Sequence, residues 1–233
     1  MARRRVNTTK LEIIQATTDM FLERGYTNTS ARAICEELNI STGNLTFYFP
    51  TKEHMLLELV ELLCEFQRVL MEKEADEGLS SVMAVCLELV AMVTMCEDDA
   101  IAKDFYLAAY TNPLCLEAIR KNDRERSKEV FGAYRPDWDD EQYAEAEILV
   151  SGVEYATLMG AGEDVSLETR IAGALHNILG VYGVPKETRD LKIGKVFAMD
   201  YRSLGARVLA EFRHYVREAN EQALTDLKRR KRE

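Results

Sequence analysis

Apolar residues recur at three- and four-residue spacing along most of the chain, the spacing that lays one stripe along a helix. With only four prolines and twelve glycines in 233 residues, this pattern predicts an almost wholly helical, all-α protein. The first stripe is Leu11, Ile14, Thr18, Phe21 and Leu22; Thr9–Lys10–Leu11–Glu12 reads as a capping box and Gly25 as the stop, predicting a helix over 9–24. Ile34, Cys35 and Leu38 then give the apolar face of a short helix capped by Thr29. Asn39 stands where the chain must turn sharply, and Asn tolerates a left-handed backbone. Ile40 follows as a buried plug, Ser41 as the cap of a second short helix, and Leu45 as its tie to the first. After Pro50, Thr51 caps a third helix and Glu53 sits near the positive end of its dipole. Helix, tight turn, helix is the pattern whose second member enters the DNA major groove.

Beyond residue 52 the pattern continues. A long helix bearing Met55, Leu59, Leu62, Leu63, Phe66 and Leu70 ends in the acidic run Glu72–Glu77 and Gly78. Further helices are predicted over 79–96 and 100–110, and from Asn112–Pro113, a cap followed by proline at the first helical position, to Phe131. The next opens at Pro136–Asp137 and runs to a stop at Gly160–Ala161–Gly162. Ile171, Ala174, Leu175, Ile178, Leu179 and Tyr182 make one late stripe; Leu204, Val208, Leu209, Phe212 and Val216 make the other. Residues 186–200 read as an extension of the last helix with an interruption at Gly194, and Lys228–Arg232 as a disordered basic end.

The residues from Leu11 to Leu56, LEIIQATTDMFLERGYTNTSARAICEELNISTGNLTFYFPTKEHML, resemble the TetR family of bacterial transcriptional regulators. Phe21 to Gly25–Tyr26, Thr29–Ser30, the recognition segment Ser41–Phe49 and Thr51–Lys52–Glu53 carry the resemblance. Asn39 replaces the family's usual turn glycine, and Thr46 stands where it usually has tyrosine. The resemblance implies a three-helix helix-turn-helix domain over 1–52, a larger helical ligand-binding and dimerisation domain over 53–222, and a basic tail over 223–233. It further implies a cytoplasmic, homodimeric repressor of double-stranded DNA, responsive to an unidentified small molecule. A pair of C-terminal helices would form the four-helix dimer interface, and the two late stripes are the expected pair, although their periodicity equally suits an intramolecular core.

Net charge changes the picture only when divided. The chain carries −10, but residues 1–52 hold seven basic and five acidic side chains, leaving −12 for the remainder. An acidic body repels DNA and orients the basic end toward it. Arg3, Arg4 and Arg5 suit a flanking minor groove, or serve as a solvated tail that adds nonspecific affinity. Candidate DNA contacts are these three with Thr29, Ser41, Thr42, Gly43, Asn44, Thr46, Phe47, Tyr48 and Lys52. Asn44 can pair bidentately with adenine, Thr42 or Thr46 can meet a thymine methyl, and Tyr48 and Lys52 can reach phosphates. Gly43 weakens the helix by about 1 kcal/mol relative to alanine, which a close backbone approach to DNA would explain.

Catalysis is not expected. His54, His176 and His214 are far from one another and from any cysteine pair, and neither a phosphate loop nor a nucleophile elbow is present. No metal or cofactor is expected. The acid runs Glu97–Asp98–Asp99 and Asp139–Asp140–Glu141 read as helix-start charges. Five scattered cysteines read as reduced and buried, no apolar run approaches the eighteen residues of a membrane span, and the basic start lacks the apolar segment of a secretory signal. The resemblance implies a ligand cavity among the helices after the head, which Met92, Phe105, Tyr106, Tyr110, Trp138 and Tyr155 could line, the tyrosines foremost because a buried hydroxyl needs a partner; plain core packing is the other reading of each. The alternative function is a DNA-bound structural or interaction protein that recruits a protein partner without a small-molecule switch.

Overall fold

The computed structural model describes residues 2–76, 79–160 and 164–230, with the side chains of residues 2–9, 71, 72, 74–76, 227, 228 and 230 excepted. Among the described residues every regular element is a helix: α1 (Ala2–Arg24), α2 (Ala31–Leu38), α3 (Thr42–Tyr48), α4 (Lys52–Asp76), α5 (Ser81–Asp98), α6 (Ala100–Thr111), α7 (Pro113–Phe131), α8 (Asp140–Met159), α9 (Leu167–Val181), α10 (Lys186–Phe197) and α11 (Leu204–Arg230). The expected breakers Gly78 and Gly162 and the end of the basic tail, Lys231 and Arg232, lie outside the described residues, as do the side chains of Arg3, Arg4 and Arg5.

The body is arranged around α5. Between Val82 and Cys96 its sequence holds one charged residue, Glu88, and apolar side chains on all sides, so it must be surrounded. It packs on α4, α6, α8, α9, α10 and α11. At Gly205 the backbone of α11 comes so close to α5 that a Cβ would lie 2.5 Å from the Met95 amide nitrogen. In the head Ile13, Phe21, Ile34, Leu45, Phe49, Leu56 and Leu59 are buried and belong to the same continuous core as the body, with α1 touching α2, α4, α6 and α11.

Several boundaries differ from the sequence expectation. The chain does not break at Thr9: α1 starts at Ala2, so the basic residues continue a helix instead of forming a separate arm. Asp139, not Pro136–Asp137, starts α8, through a full capping box with Gln142. Residues 186–200 do not extend the last helix; α10 ends at Phe197 and α11 opens at Leu204. The last helix runs to Arg230 rather than fraying at Lys228.

Both late stripes are consumed inside the chain. Ile171, Leu175 and Leu179 have no exposed surface, and Phe212 and Val216 are buried where α11 lies on α5, α1 and α4. Leu204, Val208 and Leu209 of the second stripe are half-buried. Periodicity reports that a face is buried without reporting against what.

Candidate nucleic-acid interface and ligand cavity

The turn before α3 is built as its residue types dictate. Asn39 adopts φ 52°, ψ 46°, and its N–H closes α2 on the carbonyls of Cys35 and Glu36. Ser41 Oγ then accepts the Asn44 amide at 3.2 Å and starts α3. Leu45 and Phe49 are buried and hold the helix down. The opposite face carries Thr42, Gly43, Asn44, Thr46 and Phe47, all exposed. Phe47 is 73% exposed and meets half-buried Tyr48 edge-on, their centroids 5.1 Å apart. The Thr46 hydroxyl donates back to the Thr42 carbonyl at 3.1 Å, which spends its proton inside the helix and leaves an acceptor outside.

Two expected contacts are engaged elsewhere. Thr29 is buried, and its hydroxyl donates to the Gly25 carbonyl at 2.8 Å; the cap of α2 is its neighbour Ser30, whose Oγ accepts the Ala33 amide at 3.1 Å. Thr29 thus fixes the loop, with its side chain turned into the protein. Lys52 turns inward too. Its ammonium donates to the Tyr26 carbonyl and lies 3.8 Å from the Tyr26 ring centroid. Partial burial lowers its pKa, against the opposing pull of Asp104 and Glu53. In this arrangement Lys52 pins the start of α4 to the α1–α2 loop.

That loop is also gripped from the body. Asp104, on α6, accepts the Thr27 amide at 2.8 Å and the Thr27 hydroxyl. Gly25 has φ +89°, and a Cβ there would lie 2.8 Å from Asp104 Oδ2, so only glycine allows the approach.

The next two residues on α6, Phe105 and Tyr106, face a narrow cavity of about 30 Å³ bounded by α1, α4, α5, α6 and α11. Its walls include Phe21, Leu63, Phe66, Met92, Phe105 and Phe212, so three of the six expected lining residues are present: Met92, Phe105 and Tyr106. Tyr110 lies behind Tyr106 and donates to Glu154 at 2.9 Å. Trp138 packs on Tyr143 and Arg135, away from the cavity, and Tyr155 is not on its lining.

The polar end of the cavity was not foreseen. Glu88 and Gln67 line it, and the Gln67 amide donates to Glu88 Oε1. Behind Glu88, Arg126 Nη2 lies 3.1 Å from Oε1, 2.9 Å from Oε2 and 3.4 Å from Asp123. Glu147, holding Ser127 and Tyr182, and Glu154 complete a buried acidic group. Desolvation lifts Asp123 to about 7 against the pull of Arg126, and lifts Glu147 and Glu154 as well. A single sequence signal existed for this end, the lone Glu88 in an apolar run. Asp123, Arg126, Glu147 and Glu154 sit on helices that also show polar faces to solvent, where nothing distinguishes an inward charge.

No cluster of three or more His, Cys, Asp or Glu side chains that could hold a metal occurs among the described residues, and no described helix is long and apolar enough to cross a membrane. Residues 13–59 match the profile of the bacterial regulatory proteins of the tetR family. Over 60 residues the chain is 37% identical to an uncharacterized HTH-type transcriptional regulator, YuxN, of Bacillus subtilis (strain 168). That match covers 25% of this chain and 21% of the relative, so the chain spans about a fifth of that protein's length. Among solved structures it is similar to CprB, a TetR family protein of Streptomyces coelicolor A3(2), at 20% identity and a TM-score of 0.42 over 89% of this chain and 99% of that one. It is also similar to KstR2, the ketosteroid transcriptional regulator of Mycobacterium tuberculosis, at 18% identity and a TM-score of 0.39 over 75% and 93%.

Proposed function

We propose that this tetR-family DNA-binding regulator, with its family domain at residues 13–59, is a homodimeric repressor released from its operator by a small molecule bound between α4, α5, α6 and α11. The observation that carries the reading is the face of α3, where Thr42, Gly43, Asn44, Thr46 and Phe47 are exposed on a helix held down by Leu45. Asn44 offers the bidentate pairing that reads adenine, and Phe47 an apolar surface for a thymine methyl. Ser41 and Tyr48 flank that face and suit phosphate contacts. A head over residues 1–52, a body over 53–222 and a basic end over 223–233 remain the proposed division.

The dimer is assigned to the outer faces of α8 and α9, which pack side by side. Ile148 and Leu149 are 55% and 54% exposed. Gly152 and Ala156 continue the line on α8, and Gly173 and Asn177 are exposed on α9. Small residues let two such pairs approach closely about a twofold axis, which favours a near-palindromic operator. The apolar cavity supports a small-molecule switch over recruitment of a protein partner. Coupling of about 1–3 kcal/mol between cavity and head would change DNA affinity 5- to 150-fold.

The test is selection from a random duplex pool followed by fluorescence anisotropy between about 50 and 200 mM salt. A near-palindrome whose affinity falls with salt supports the reading. Absence of any enriched sequence overturns it.

A further inference from the structure

At about 30 Å³ the cavity has room for two or three waters, each needing roughly 10–15 Å³, so a larger guest fits only if a wall moves. Leu22, Ile101 and Arg213 line the cavity and also line an open cleft of about 430 Å³ between α1 and α11. These three side chains are therefore the partition between the two spaces. A second cleft shares Gln67, Leu70, Glu88, Ala91 and Val208 with the cavity, but it adds only about 20 Å³.

Arg213 is the movable member of the partition. Its side chain is 36% exposed and its Nε is buried with no partner. The bonds that hold it are both made by Nη2, which donates to the Leu22 carbonyl at 3.1 Å and lies 3.5 Å from Asp99 Oδ2. The Leu22 carbonyl lies in the last turn of α1, where the helix supplies no amide and its dipole favours a cation. Arg213 thus caps the first helix of the head. Asp99 in turn starts α6, its Oδ1 accepting the Ile101 and Ala102 amides at 2.8 and 3.0 Å. Swung outward, the guanidinium would meet Asp19 and Glu23, which line the same cleft.

We propose that an apolar ligand enters the cavity from the α1–α11 cleft by displacing Arg213 from the Leu22 carbonyl, so that occupancy uncaps the last turn of α1. Phe66, Met92, Phe105 and Phe212 take the apolar body, and the guanidinium turns to the carboxylates of the cleft. The bond is lost where the head joins the body, because Leu22 leads into the loop that Asp104 grips through Thr27. A released cap loosens the turn that sets the angle of α1 against α2. The inference rests on the reading of this cavity as the regulatory site.

The probe is N-phenyl-1-naphthylamine, a neutral apolar fluorophore, mixed with the full chain in stopped flow. Its association rate is expected to rise at least tenfold in Arg213→Ala. Val208→Ala, which widens the smaller cleft, should change the rate far less. A rate no faster in Arg213→Ala, a gain at least as large in Val208→Ala, or no binding to the unaltered protein overturns the proposal. Hydrogen exchange reads the same event without a substitution: saturating probe should speed exchange at residues 22–25 severalfold. Unchanged exchange there overturns it too. The same probe added to the DNA complex separates this inference from the regulatory reading. Faster exchange at 22–25 with unchanged DNA affinity refutes the switch and not the entry route, whereas DNA release with unchanged exchange refutes the route and not the switch.

Discussion

Asp104 of α6 accepts two hydrogen bonds from Thr27, one from its amide at 2.8 Å and one from its hydroxyl, and so ties the cavity wall to the loop that orients the reading head. The next two residues on α6, Phe105 and Tyr106, line the cavity. A helix that yields to a ligand on one face must shift its grip on the other, because packed elements move as rigid pieces.

Asp104→Asn keeps the shape and loses the charge-assisted acceptor. The expected cost is about 1–2 kcal/mol of stability. Hydrogen exchange should rise across residues 25–29, and any ligand effect on DNA affinity should shrink. Unchanged exchange in that loop would remove Asp104 from the coupling.

Asn44→Ala and Phe47→Ala should each weaken specific DNA binding by about 1–3 kcal/mol and relax the sequence preference at one position. Lys52→Met is expected to behave differently. It loses the Tyr26 contacts and about 1–2 kcal/mol of stability, with the slope of affinity against salt unchanged. A slope smaller by about one would return Lys52 to the phosphate contacts.

Leu149→Glu together with Gly152→Arg, on the outer face of α8, should convert a dimer to monomers with the helical content intact. Sedimentation velocity reads the mass and circular dichroism the fold. A dimer that survives both substitutions would move the interface to another face.

The pKa of Asp123 is raised in the folded protein to about 7, so the folded state binds a proton there that the unfolded chain has released above its ordinary value of 3.8. The stabilisation is complete below that ordinary value and is lost as pH rises toward 7. Asp123→Asn should therefore flatten the fall in stability over this window. It should gain about 1–3 kcal/mol relative to the parent at pH 8 compared with pH 4, measured by urea unfolding. A parallel displacement at both pH values would show that Asp123 does not titrate in this range.

The sequence by itself determined the turn of the head and the start of α3. Asn39, Ser41 and Leu45 act through neighbours a few residues away, and local geometry decides a cap or a left-handed turn. The Asn112 cap was legible for the same reason, whereas of the three acids read as helix-start charges Asp99 alone starts α6, and Glu97 and Asp98 end α5. Tertiary structure decided everything that depends on what lies opposite. Thr29 and Lys52 carry side chains suited to DNA, yet the nearest partners are the Gly25 and Tyr26 carbonyls. The stripes on α9 and α11 are apolar for the sake of this chain's own core. The acidic end of the cavity brings together Gln67, Glu88, Asp123, Arg126, Glu147 and Glu154 from four helices. Helical periodicity says which side chains share a face, and only the packing of the helices says which faces meet.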